Sequence, residues 1–313
     1  MTASVRFAHI SDVHLPLEAA PPLLYMNLKR SLGLLNWLRK RRYVHTRAAL
    51  DAIVADIKRE APDHILVSGD LINIGLPSEY EAARTWLESV GTPQHVSVVP
   101  GNHDIYVELG ADPGIGRWDA YMLSNVAGAT AGGIKPAIGH YGGAGTWRSG
   151  AFPYVRRIGH VAVVGVCSAR PTLVGWASGT VGRPQLDRLA AILDQLKQAG
   201  LARLVMIHHP PLPGQAPPRR ALEDAQALSE LLERYGADLV IHGHNHTQTS
   251  VIHAAIPILG VASASACRDY GDEPPARYNL ITVTGEAIEI ETRGLNTADQ
   301  RVMHIAAARY SRR

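Results

Sequence analysis

The chain has 313 residues, of which 46% are hydrophobic and 19% charged, and its formal net charge is +3. Such a chain can bury a sizeable core, which excludes disorder, a collagen-like repeat and a disulfide-stapled miniprotein. Its two cysteines, Cys167 and Cys267, stand in no C-x-x-C pair, which excludes zinc held by thiolates.

In chain order, short apolar runs alternate with helical patterns. Val5–Ile10 reads as a strand. Apolar residues at 50, 53, 54 and 57 predict a helix over Arg47–Glu60. His64–Ser68 is a short buried strand ending at Gly69-Asp70. Ser78–Val90 is a helix, with Ser78 as its expected N-cap and Pro77 before it. His95–Val99 is a strand stopped by Pro100-Gly101. Residues 110–151 are Gly-rich and read as irregular, with one short helix near Trp118–Leu123. Strands at Val161–Val166, Leu204–Ile207 and Asp238–Ile241 alternate with helices at Gln185–Gln198 and Leu222–Tyr235. From about Thr249 the pattern turns to β-hairpins, which it carries as far as Glu291. No repeat and no linker appears, so residues 1–313 are expected to form one α/β sandwich domain.

The polar residues of interest fall where these strands end. Asp12 and His14 follow the first, Asp70 the second, and Asn102, His103 and Asp104 the third; His208 follows a later strand, and His244 and His246 another. Ligands bind in the crevice at the carboxyl ends of strands in α/β sheets. Asp12, His14, Asp70, Asn102, His208, His244 and His246 form a mixed N/O donor set without thiolate, which suits Mn, Fe or Zn. Seven ligands are too many for one tetrahedral ion and about right for two sharing a bridge. Asp70 is the expected bridge, its two oxygens facing two metals. Two such ions clamp a phosphoryl group and lower the pKa of a bound water.

The blocks Asp12-Val-His14, Gly69-Asp70, Gly101-Asn-His-Asp104, His208-His-Pro210 and Gly243-His-Asn-His246 resemble those of the calcineurin-like metallophosphoesterases in order, spacing and strand context. The resemblance runs from residue 5 to about 290, apart from an insert at 15–46. The stretch Gly69–Gly75 with Glu79-Tyr80 looks most like the class III cyclic-nucleotide and glycerophosphodiester phosphodiesterase branch. The resemblance implies a four-layer α/β/β/α sandwich and hydrolysis of a small phosphodiester by a metal-bound hydroxide. It implies that Asp12, His14, Asp70 and His246 hold one metal and that Asp70, Asn102, His208 and His244 hold the other. It assigns His208 rather than His209, because the family ligand stands two before the proline. His103 would be a catalytic non-ligand that protonates the leaving oxygen or stabilises the phosphate, and Asp104 would orient the His103 imidazole. His9, His209 and His242 stand beside these positions and read as mainly structural. His45, His64, His95, His140, His160, His253 and His304 lack any motif and read as structural too.

Residues 15–46 form an insert outside that resemblance. Seven Lys/Arg and no Asp or Glu lie between Ala19 and Leu50; without those seven, the remainder of the chain has an acidic balance. Leu24, Leu28, Leu32, Leu35 and Leu38 fall at helical spacing beside Trp37 and the Arg39–Arg42 run. The first expectation is a lid helix that packs its leucines on the domain and leaves its cations in water. The alternative is an interfacial helix over 23–42 that touches lipid, the enzyme then acting on a lipid-linked phosphodiester or pyrophosphate at a membrane surface. Nucleic acid is not an expected partner, since only Tyr25, Trp37 and Tyr43 offer aromatic rings there. A non-catalytic phosphoester-binding scaffold is the rival from another class. No apolar run is long enough to span a bilayer, and Met1–Ile10 has no signal-peptide h-region. The expected location is cytoplasmic, with the inner membrane face as the peripheral alternative. The C-terminal hairpins offer a way for two copies to pair.

Overall fold

The computed structural model describes residues 4–17, 21–109, 112–133 and 152–312. Residues 110–111 and 134–151 of the Gly-rich stretch, His140 among them, lie outside the described residues.

Two six-stranded sheets form the centre. The first has the order β12-β11-β10-β1-β2-β3, in which β1 (Val5–Ile10), β2 (His64–Val67) and β3 (Val96–Val98) are parallel. Beside them β10 (Arg277–Val283), β11 (Ala287–Leu295) and β12 (Val302–Ser311) continue as an antiparallel meander. The second has the order β4-β5-β6-β7-β9-β8. Its parallel centre is β5 (Val161–Gly165), β6 (Ala202–Met206), β7 (Leu239–His242) and β9 (Ile256–Gly260). Its antiparallel edges are β4 (Tyr154–Ile158) and β8 (Thr249–His253).

Strand alternation divides the apolar residues between two cores. Val161, Val163, Leu204 and Met206 face the first sheet and join one core with Phe7 and Ile10. Ala162, Val164, Val205 and Val240 face the other way, onto Leu189 and Leu193 of α5 (Arg183–Gln198) and Leu228 and Leu232 of α6 (Ala225–Tyr235). Helices α2 (Arg47–Glu60) and α3 (Pro77–Val90) cover the first sheet with Leu50, Ile53, Ile57, Ala83 and Leu87. The layers are therefore α/β/β/α.

Three local readings change. Pro77 is inside the first turn of α3, with Leu76 as N-cap, and the Glu79 carboxylate rather than Ser78 satisfies the free N–H groups of Asn73, Ile74 and Leu76. Trp118 lies in 3-10 turns spanning Gly114–Met122, followed by a short helix, α4 (Val126–Ala131). Strands β4 and β12 were not expected; β12 carries Ala306–Ala308, a composition poor in β signal.

The larger correction concerns the insert. Its helix α1 (Leu28–Arg39) is capped by Asn27, whose side chain accepts the Arg30 N–H at 2.9 Å. The leucines do not pack on the domain: Leu28, Leu32, Leu35 and Leu38 are exposed, and Arg30 is the buried residue of the helix. The basic side holds the helix down. The Arg30 guanidinium donates to the carbonyls of Ile74, Tyr25 and Gly75. Lys29 Nζ donates to the carbonyls of Tyr106 at 2.8 Å and Thr172 at 2.7 Å, and sits 4.4 Å from the centre of the Tyr106 ring. Gly33 permits the close crossing, since a Cβ there would lie 2.6 Å from Tyr106 Oη and 2.8 Å from Ile74 Cγ2. Carbonyls at the ends of β2 and β3 thus offered more to this helix than apolar surface did.

Candidate metal centre

The carboxyl ends of β1, β2 and β3 face those of β6 and β7, and every predicted ligand sits in the turns that leave them. These turns are strained. Asp12, His14, Asp70, His244 and His246 all have positive φ, between 42° and 70°. Left-handed backbone costs a non-glycine residue on the order of 1–3 kcal/mol, and it persists where the surroundings over-determine it, as at functional sites. Glycines beside them allow close approach. A Cβ on Gly101 would lie 2.2 Å from Asp70 Oδ1, and one on Gly243 would lie 1.8 Å from Ser11 Oγ and 2.6 Å from Asp12 Oδ2. Gly243→Ala is therefore expected to cost about 3 kcal/mol, with Asp12 displaced; a lowered Tm together with weakened metal retention would show both effects.

The side chains gather into two groups. In one, His246 Nε2 is 3.2 Å from Asp12 Oδ1 and 3.3 Å from His14 Nε2, and His14 Nε2 is 3.9 Å from Asp70 Oδ2. In the other, His208 Nε2 is 3.4 Å from Asp70 Oδ2, 3.2 Å from Asn102 Oδ1 and 3.2 Å from His244 Nδ1. Asp70 stands between them, but with one oxygen rather than two. Oδ2 faces both groups, while Oδ1 accepts the His103 backbone N–H at 2.7 Å.

The tautomers follow from the outer partners. His14 Nδ1 faces the Ile72 carbonyl at 3.1 Å, His208 Nδ1 the Ser68 carbonyl at 2.7 Å, and His244 Nε2 the Arg220 carbonyl at 2.8 Å. His246 Nδ1 faces Glu273 Oε2 at 2.9 Å. Oxygens of these kinds only accept, so each imidazole donates its N–H outward and turns its lone-pair nitrogen inward. Lone pairs then face one another at 3.3 Å in one group and 3.2 Å in the other, and the buried Asp12 Oδ1 lies beside the first of these at 3.2 Å from His246 Nε2. Such an arrangement calls for cations. In the protein alone, burial opposes charging of His208 and His246, but Asp70 and Asp12 override it and raise both imidazoles to about 9. The donor set is oxygen and imidazole nitrogen, suited to Mn, Fe or Zn.

His209, the neighbour of His208, is turned away, with Nδ1 on Ser168 Oγ at 2.8 Å and Nε2 on the Ala177 carbonyl at 3.1 Å. The Asp104 expectation is corrected. Its carboxylate does not orient the His103 ring; it accepts the backbone N–H groups of Asp70, Leu71 and Gly101, each at 2.8 Å, and so pins the turns that carry Asp70 and Asn102. The His103 ring instead places Nδ1 on the Asn73 carbonyl and stacks on Tyr106. Burial, then the Arg41 guanidinium, lowers this imidazole to about 3.

Three contributors escaped the sequence reading. His45, which has no motif, packs its ring 4.8 Å from His14 and 5.3 Å from His246 and leans on Ser265 Oγ at 3.0 Å. Glu273 fixes His246, as noted. Arg41 leaves the basic run and turns inward, 3.5 Å from His103 Nδ1. Only the three-dimensional fold brings them here. Glu273→Ala should lower metal affinity about 10–100-fold, measurable by competition with a chelating dye. Lys29, Arg41 and Arg220 line the cleft above the cluster, which measures about 330 Å³; burial lowers the Lys29 ammonium to about 8.

An α/β/β/α sandwich with Asp, Asn and His ligands converging from facing strand ends is the architecture of a metallophosphoesterase. The chain belongs to the calcineurin-like phosphoesterase family, whose model matches residues 5–248. It is 29% identical over 220 residues to the glycerophosphodiester phosphodiesterase GpdQ of Enterobacter lignolyticus, and 25% identical over 198 residues to a probable cyclic nucleotide phosphodiesterase of Synechococcus. These matches cover 64% and 62% of this chain, and 63% and 62% of the relatives, a little under two thirds of their length. Among solved structures, a dimetal phosphatase from Danio rerio shares the fold with a TM-score of 0.60 at 15% identity, over 97% of this chain and 99% of that one. A purple acid phosphatase from Lupinus luteus shares it at 0.57 and 12% identity, over 99% of this chain and 54% of that one.

Proposed function

We propose that this protein hydrolyses phosphodiesters with two divalent ions, Mn, Fe or Zn. Asp12, His14, Asp70 and His246 would hold one ion, and Asp70, Asn102, His208 and His244 the other. The observation that carries this reading is the four imidazoles that donate outward and turn their lone pairs in on two carboxylates. When bound, the ions supply Lewis acidity and an activated water. The chain does the rest. Arg41, Lys29 and Arg220 give the cleft a positive lining for an anionic phosphate. His103 donates Nδ1–H to Asn73, which leaves Nε2 for the cleft. An anionic diester there favours its protonated form, and the proton can pass to the departing oxygen. A cleft of about 330 Å³ suits a small phosphate ester.

The choice of diester over monoester rests on the two phosphodiesterases that the chain is similar to. The test is turnover of bis-p-nitrophenyl phosphate beside p-nitrophenyl phosphate by the Mn²⁺-loaded protein. Diester turnover is expected to exceed monoester turnover by at least about tenfold, a transition-state difference of roughly 1.4 kcal/mol. A reversed ratio would make the protein a monoesterase.

A further inference from the structure

We infer that residues 23–42, together with the loop 173–176, dock this protein onto an anionic lipid surface, with the mouth of the metal-centre cleft turned toward it. The exposed large apolar side chains are unevenly placed. Among the described residues, eleven of seventeen lie on these two segments or on Tyr43 just beyond them. Leu23, Leu24 and Leu28 are 89%, 87% and 70% exposed, and Leu173 is 78% exposed. The two segments are tied to each other by Lys29, which donates to the Thr172 carbonyl. Both border the same cleft, through Lys29, Asn36 and Arg41 on one side and Thr172, Gly175 and Trp176 on the other. An apolar rim around a charged cleft differs from scattered surface leucines.

The helix is inverted relative to an ordinary packed one: α1 spends Lys29 and Arg30 on the domain and leaves Leu28, Leu32 and Leu35 outside. Arg39, Lys40 and Arg42 are exposed at its end. Leucines in one stripe with cations beside them match the acyl boundary and the phosphates of an anionic bilayer. A second copy is a poorer occupant. Residues 21–46 contain no Asp or Glu, so a two-fold pairing of this face would set these cations against their own copies. No helix among the described residues is long and apolar enough to cross a membrane, so the contact is peripheral.

The metal-loaded full chain is tested by co-sedimentation with vesicles of equal parts phosphatidylcholine and phosphatidylglycerol, and with pure phosphatidylcholine. The protein is expected to pellet with the anionic vesicles and to stay in solution with the neutral ones. Arg39→Gln/Lys40→Gln/Arg42→Gln should weaken partitioning by about a hundredfold, at roughly 1 kcal/mol per cation, and Leu24→Ser/Leu28→Ser/Leu32→Ser should weaken it by at least about tenfold. Both variants should keep turnover of soluble bis-p-nitrophenyl phosphate, which reads the chemistry independently of the docking. Absence of pelleting, or pelleting that neither variant changes, overturns the inference. So does a wild-type dimer, seen by light scattering, that the leucine variant dissociates without any vesicle binding.

Discussion

Asp70→Asn is expected to lower phosphodiester turnover on the order of a thousandfold or more and to remove at least one of two bound metals. The substitution keeps the shape. The amide oxygen can still accept the His103 N–H that Oδ1 accepts at 2.7 Å, so the turn between β2 and α3 should hold. What changes is Oδ2, the atom that faces both His14 and His208. An amide nitrogen has no lone pair to offer a cation and brings no charge. Metal content by mass spectrometry, measured beside turnover, separates this from unfolding: the variant should melt as a folded protein and hold fewer ions. Two ions retained with normal turnover would remove Asp70 from its bridging position.

His103→Ala should behave in the opposite way, keeping both metals while kcat falls by roughly 10²–10⁴-fold, the range of a lost proton-transfer group. The ring lines the cleft and brings one nitrogen within 4.8 Å of the ligand atoms of His14 and Asp70, but it is held by Asn73 and Tyr106 rather than by the predicted carboxylate. KM should change little, because Arg41, Lys29 and Arg220 still line the cleft. Steady-state kinetics with metal content on the same preparation checks it. Loss of metal in this variant would mean that His103 is a ligand.

The positions of the candidate ligands are legible because each follows a strand end, where a short motif and the chain direction are enough to place a side chain. The outer partners are not. Glu273, His45 and the carbonyls of Ser68 and Arg220 come from positions that no motif marks, the Ile72 carbonyl from a motif that does not tell where its backbone oxygen points, and only the closed fold sets them around the imidazoles. Asp104 lies beside the candidate ligands, but its carboxylate turns to the N–H groups of Asp70, Leu71 and Gly101, since adjacency to His103 in sequence says nothing of where it points. Leucine spacing predicted α1 but not its orientation. Periodicity reports that a helix has two faces; here the Arg30 and Lys29 hydrogen bonds to free carbonyls decide which one faces inward. Strands β4 and β12 escaped because edge strands lack the continuous apolar run of the buried parallel ones.

The most direct test of the two-ion account is anomalous diffraction from crystals of the Mn²⁺-loaded protein, with metal stoichiometry measured on the same sample. The account predicts two ions per chain. One should be bounded by Asp12, His14 and His246 and the other by Asn102, His208 and His244, with Asp70 between them. A single ion, or ions bound away from these residues, would contradict it.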